Sequence, residues 1–168
     1  MAATQWKLAK GKTWRQKLQE PHPNHGKIIP LTAEQGRRLG GQSMLIPVPA
    51  DVDAAMRRPR KGRLISTSQI RQFLLRDSSA DSACPLTTGL FMRIVAEAAE
   101  EGRREGRKRI TPYWRTIRDD GKLIEKFPGG AAAQAQLLRA EGFTIEPGRG
   151  KQPPKVQNFT KYLMSADA

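Results

Sequence analysis

ITPYWRTIRDDGKLIEKFPGGAAAQAQLLRAEGF, residues 110–143, is the stretch whose reading decides the fold. Pro112 leads a turn, and a small β element is expected around residues 114–124. Asp119-Asp120-Gly121 spells a polar turn, because Asp bonds its own backbone and Gly tolerates a positive φ. Pro128-Gly129-Gly130 breaks the chain. A helix follows, closed by Gly142 at the position where helices end on a left-handed residue.

Two further helices precede this stretch. In LISTSQIRQFLL (64–75), Ser66 or Thr67 can cap a helix with Ile70, Phe73 and Leu74 on one face. The polar residues 77–83 end it, and Pro85 opens a second helix with Leu86, Leu90, Ile94 and Ala98 along one face. The cadence is that of a helix-turn-helix, in which the start of the second helix contacts DNA. Thr87, Thr88 and Arg93 are therefore the expected readers, with Glu97, Glu100 and Glu101 turned away from phosphate. An earlier helix is expected over about residues 49–58, with Pro49 at its first position and Pro59 forcing its end.

The chain has 168 residues, with 30 Lys or Arg against 16 Asp or Glu and a formal charge of +14. Such an excess points to an anionic polymer as partner. The cluster RRPRKGR (57–63), with Arg60 and Lys61 at its centre, reads as a phosphate-contacting loop. The run EEGRREGRKR (100–109) reads either as a solvated loop or as a second DNA contact. No apolar run is long enough to span a membrane, and MAATQWKLAKGKTW has no secretory pattern. The single cysteine, Cys84, excludes an internal disulfide and a Cys-based zinc site. With only His22 and His25 besides, no metal or cofactor is expected. A reducing, cytoplasmic location is expected, nucleoid-associated in a bacterial cell.

Residues 110–143 resemble the active-site segment of the O6-alkylguanine-DNA alkyltransferase family, with its order Ile-Pro-Cys-His-Arg-Val, a Gly turn, Gly-Gly and Leu-Leu-x-x-Glu-Gly. Pro112, Arg115, Gly121, Gly129, Gly130, Leu137, Leu138, Glu141 and Gly142 match that order without a gap. Gly62, Ser66 and Thr67 resemble the opening of the family's first reading helix. The acceptor Cys is replaced by Tyr113 and its neighbouring His by Trp114. The DNA-rotating Tyr falls on Thr67, the intercalating Arg falls near Leu86, and the Asn-Pro after the second helix is missing.

The resemblance implies a mainly α, winged-helix-like (helix-turn-helix) DNA-binding domain with a small β element and basic N- and C-terminal extensions. It also implies a base pocket of Pro112, Tyr113, Trp114, Arg115, Phe127, Gly129 and Gly130, and DNA contacts by Arg60, Lys61, Thr67, Ser68, Thr87, Thr88 and Arg93. Alkyl transfer needs a thiolate and a base beside it. A phenol of pKa about 10 and an indole supply neither. The chain thus resembles the alkyltransferase-like proteins, which bind alkylated guanine without repairing it. Whether the two rings wall a pocket or fill it stays open at this point. Glu141 matches the Glu that orients the family's His, and is left to bind Arg115 or the Trp114 indole.

The organisation expected is a basic irregular arm over 1–44, the alkyltransferase-like domain over 45–147, and a basic linker and tail over 148–168. Trp6 stands apart in the arm, a short helix is expected at Trp14–Gln19 or Ala33–Leu39, and Trp14 and Leu18 either order on nucleic acid or pack on the domain. In the tail, Val156, Phe159, Tyr162 and Leu163 are expected to anchor. The function expected is a non-enzymatic monomer that senses alkylated or perturbed bases in double-stranded DNA and works with other DNA-repair proteins. The alternatives are an architectural helix-turn-helix protein with no lesion pocket, and an enzyme acting through Cys84.

Overall fold

A computed structural model describes residues 8–165; Trp6 lies outside them. The first helix, α1 (Trp14–Gln19), is capped by Thr13, whose hydroxyl accepts the Gln16 N–H while the Gln16 side chain accepts the Thr13 N–H. The two donors that this box leaves unpaired, the Trp14 and Arg15 N–H groups, go to the Glu101 carboxylate at 2.8 and 3.3 Å. Trp14 and Leu18 pack on the main core.

β1 (Ile28–Pro30), α2 (Ala33–Leu39) and β2 (Ser43–Leu45) follow, with β1 antiparallel to β2 and β2 parallel to Ser82–Ala83. Asp81 accepts hydrogen bonds from Gln42 N–H, Ser43 N–H and the Ser43 hydroxyl, which fixes that register. The arm expected over 1–44 is therefore less irregular than expected: the short helices read at Trp14–Gln19 and Ala33–Leu39 are both present, Trp14 and Leu18 pack on the domain, and two strands attach the rest. Its anchors, Asp81 and Glu101, stand far away in sequence, so no local pattern marks them.

α3 (Pro49–Met56) has Pro49 at its first position and ends before Pro59. β3 (Ile65–Ser66) leads into α4 (Thr67–Leu75), where Ser66 and Gln69 form a capping box like those of Thr13 with Gln16 and Thr32 with Gln35. β4 (Ser82–Ala83) precedes α5 (Pro85–Arg104), whose N-cap is Cys84. α5 runs on through Glu100–Arg104, so the first half of the charged run is helix and only its remainder is exposed loop. A single 3₁₀ turn, Tyr113–Arg115, delivers the chain to β5 (Thr116–Ile117), which lies parallel to β3. α6 (Gly130–Ala140) and the antiparallel pair β6 (Ile145–Glu146) and β7 (Lys155–Val156) complete the elements. The fold is mainly helical with small sheets.

Two buried clusters form the interior. One gathers Val52, Met56, Ile70, Phe91, Ile94 and Val95 from α3, α4 and α5 with Tyr113 and Phe127. The other gathers Leu64, Ile117, Leu123, Leu138, Phe143 and Val156. Trp114 packs against both. Val156 is fully buried, the Leu64 N–H bonds the Tyr162 carbonyl, and the Met164 N–H returns to the Leu64 carbonyl. The linker and tail expected over 148–168 is thus part of the domain from Lys155 to Met164. Gly121 shows why that docking demands glycine: its φ is +84°, and a Cβ there would lie 2.3 Å from the Phe159 ring.

Glu101→Ala removes the acceptor for the first two amides of α1. The expected loss is about 1 kcal/mol of local stability. Tryptic cleavage at Arg15 in the native protein should then accelerate about fivefold, with global unfolding little changed.

Candidate functional site

Tyr113 is 1% exposed. Its ring meets Trp114 and Phe127 edge-on, with centroids 5.5 and 5.4 Å away, the geometry that aromatic quadrupoles favour. The Tyr113 hydroxyl donates to Glu100 Oε1 at 2.6 Å. Burial pushes the phenol pKa well up, and the Glu100 carboxylate that accepts its proton adds to this. At neutral pH the group is a protonated donor, far from a nucleophile.

On the other side of the turn, Glu141 collects its partners. The Trp114 indole N–H donates at 2.8 Å, and the Arg115 guanidinium donates through Nε and Nη2 at 2.8–3.0 Å. The Arg115 and Glu141 side chains are 15% and 10% exposed. Burial alone would raise the Glu141 pKa; the hydrogen bonds from Arg115 and Trp114 and the Arg115 charge outweigh it and hold the carboxyl below its usual range. Arg115 also donates through Nη1 to the Pro59 carbonyl at 2.8 Å, which pins the basic turn of residues 57–63 to this segment.

Beside Tyr113 lies an open cleft of about 610 Å³, lined chiefly by Glu97, Glu100, Arg103, Arg104, Pro128 and Leu137, with Gly129, Ala133 and Gln136 completing it. Two of the residues expected from sequence to form a base pocket line this cleft. Tyr113 and Gly129 reach the cleft, while Trp114, Arg115, Pro112, Phe127 and Gly130 do not line it. Phe127 is 3% exposed and belongs to the core. Its ring and that of Tyr113 pack against each other, so neither offers a free face for stacking. The sequence reading missed Glu97 and Glu100 because it placed them away from DNA. Their i,i+3 spacing on a helix that continues to Arg104 was the signal that they share a face.

Burial raises the Glu97 pKa, with Arg93 and Arg104 opposing and Glu100 reinforcing the shift. Glu100 receives both of its hydrogen bonds, from Tyr113 and from Arg103 Nη1, on Oε1. Among the described residues none bonds its Oε2.

The expected DNA readers divide. Arg60 and Lys61 are exposed, and Arg58, Arg60 and Arg63 line an open groove of about 640 Å³ with Leu163, Met164 and Ser165. Arg93 and Thr87 are half-buried; the Thr87 N–H and hydroxyl both donate to Cys84 Sγ. Thr88 is 1% exposed and is corrected from reader to core, because α5 turns that side toward the interior. Thr67 and Ser68 are engaged by Asp119, which accepts the Thr67 hydroxyl, the Ser68 N–H and the Ser68 hydroxyl at 2.6–3.1 Å. The donor groups of both residues are thus taken up by Asp119. Cys84 is buried, with its sulfur serving as a helix cap.

Glu141→Ala should cost about 3 kcal/mol in chemical denaturation at pH 7, since it strands a guanidinium and an indole N–H in a mostly buried place. The Glu141 pKa is lowered in the folded state, so its contribution is present above the ordinary glutamate value of about 4.3 and is lost as pH falls through the folded value. The stability gap between wild type and variant should therefore narrow steadily on acidification below that point.

No protein-family model matches this chain, and no curated protein matches it. Among solved structures the chain is similar to S. pombe Atl1, crystallised in complex with damaged DNA containing O6-carboxymethylguanine. The two are 17% identical; the match covers 70% of this chain and 94% of that one, with a TM-score of 0.49. A likeness this loose transfers no residue roles between the chains.

Proposed function

We propose that this protein binds double-stranded DNA and tests bases in the cleft beside Tyr113 without taking an alkyl group from them. The observation that carries the reading is the arginine-lined groove at residues 57–63, on a chain of formal charge +14, tied by Arg115 to the segment that bears the cleft. Phosphate contacts of this kind position a protein on a duplex while base contacts are made elsewhere. α4 and α5 supply the helix pair of a helix-turn-helix, with the exposed start of α5 toward the groove of the duplex.

Transfer chemistry has no agent here. The phenol of Tyr113 is buried, protonated and bonded to Glu100, the indole of Trp114 is bonded to Glu141, and Cys84 is enclosed under Thr87. A sensor that transfers nothing acts through what it recruits, so DNA-repair proteins are its expected partners. The packing of Tyr113 against Phe127 supports a second reading, an architectural binder that admits no base. Equal affinity for damaged and undamaged duplexes at every salt concentration is the result that favours it.

If about six phosphates are neutralised, log Kd should vary with log salt with a slope of magnitude about 5. Arg60→Ala and Lys61→Ala should each reduce that slope by about 1. Mass spectrometry after incubation with an O6-methylguanine duplex should return an unmodified chain. A flat salt response ends the DNA reading, and a stoichiometric methyl adduct ends the non-enzymatic one.

A further inference from the structure

We infer that the cleft beside Tyr113 selects a base that presents N–H donors and carries positive charge, as 1-methyladenine does, and discriminates against O6-alkylguanine. The inference rests on the proposed reading of this cleft as a base site, and adds the chemical class it takes.

The argument starts from which groups face the space. Its volume of about 610 Å³ falls in the range of small-molecule sites, about 300–1,000 Å³. Pro128, Ala133 and Leu137 give one apolar flank against which a base plane can lie. The acceptors on the α5 side are the Glu97 carboxylate and Glu100, whose Oε1 is held by Tyr113 and Arg103; Arg103 and Arg104 of the same helix also line the cleft. The cations stand further out. The Arg103 side chain is 47% exposed and the Glu100 side chain 19%, and Arg104 is exposed as well. The cleft thus has a carboxylate floor and a guanidinium rim, an order that suits a nucleotide entering base first with its phosphates left at the mouth.

Carboxylates only accept hydrogen bonds when ionised. O6-alkylation strips guanine of its N1 proton, so its edge offers a ring lone pair toward that floor beside the N2 amino group, and the base carries no charge. Alkylation at N1 of adenine leaves a cationic ring with an amino donor beside the charge. Such a cation meets the floor as an ion pair in a partly desolvated place, where charge-assisted bonds are strong. The raised pKa of Glu97 fits the same picture, since a carboxylate shielded from water gains most from a cation placed against it. Extrusion from the stack also costs least where alkylation has already abolished pairing.

The test is fluorescence anisotropy with the full chain and three duplexes of one sequence, carrying 1-methyladenine, O6-methylguanine or no lesion. The 1-methyladenine duplex should bind about tenfold more tightly than the undamaged one, with O6-methylguanine within about twofold of undamaged. Glu97→Gln, which keeps size and loses charge, should reduce the preference to about twofold. Gln136→Glu, at an exposed position on the cleft wall, should raise it, which keeps the proposal open to test if the first variant folds poorly. Salt-dependent binding with no preference for 1-methyladenine, or a preference for O6-methylguanine, overturns the proposal and leaves DNA binding standing. Absence of salt-dependent binding to any duplex overturns both.

Discussion

A single buried amide holds the candidate site in shape. Gln134, fully buried on α6, accepts the Ile124 N–H through Oε1 at 2.8 Å and donates through Nε2 to the carbonyls of Trp114 and Thr116 at 3.1 and 2.7 Å. The segment it grips has little else: one 3₁₀ turn and a strand of two residues, too short to be stable alone. Three backbone groups in the interior would otherwise stand unpaired, each at a cost of about 1–3 kcal/mol. Because the amide is on α6 and its partners flank the Asp119–Gly121 turn, helix, turn and strand can only move together. Tyr113, Trp114 and Phe127 inherit their positions from that constraint.

Glu141 extends the same frame outward. It takes the Trp114 indole N–H and the Arg115 guanidinium, and Arg115 in turn reaches the Pro59 carbonyl. One carboxylate therefore couples the ring that spans both hydrophobic clusters to the turn that carries Arg58, Arg60 and Lys61. A buried ion pair is weak evidence for stability, because desolvation offsets most of its Coulomb gain. Its worth here lies in geometry: a bidentate guanidinium fixes the angle between the basic turn and the cleft-bearing segment.

What was legible in the sequence follows the range of the signals. Pro49, Ser66 and Pro85 mark helix starts within a few residues, and all three helices begin there. Gly121 and Gly142 mark positive φ, and both have it. In residues 13–45 the helices Trp14–Gln19 and Ala33–Leu39 were legible, since each opens on a local Thr/Gln capping box, whereas their docking was not, because Glu101 and Asp81 act across tens of residues. Thr88 was misplaced for a subtler reason. A threonine between polar neighbours reads as surface, yet α5 is covered on two sides, by α1 and by α3, so more of its circumference is interior than an amphipathic pattern predicts. The aromatic character of Tyr113 and Trp114 was plain, while their role as packing and as hydrogen-bond donors needed the glutamates opposite them.

The charge on this molecule is distributed in a way that its net value hides. Arginines and lysines crowd residues 57–63 and 103–109, while the acids on α5 face inward or take up specific donors: Glu101 holds α1, Glu100 holds Tyr113, and Glu97 sits half-buried at the cleft. Long-range attraction to a polyanion and short-range preference within the cleft can then have opposite signs, since screening over about 8 Å of physiological solution separates them. In this arrangement the phenol at position 113 is more than packing. By donating to Oε1 of Glu100 it holds one oxygen of a carboxylate that lines the cleft. A buried ring of the core thereby bears on the polarity of the space next to it.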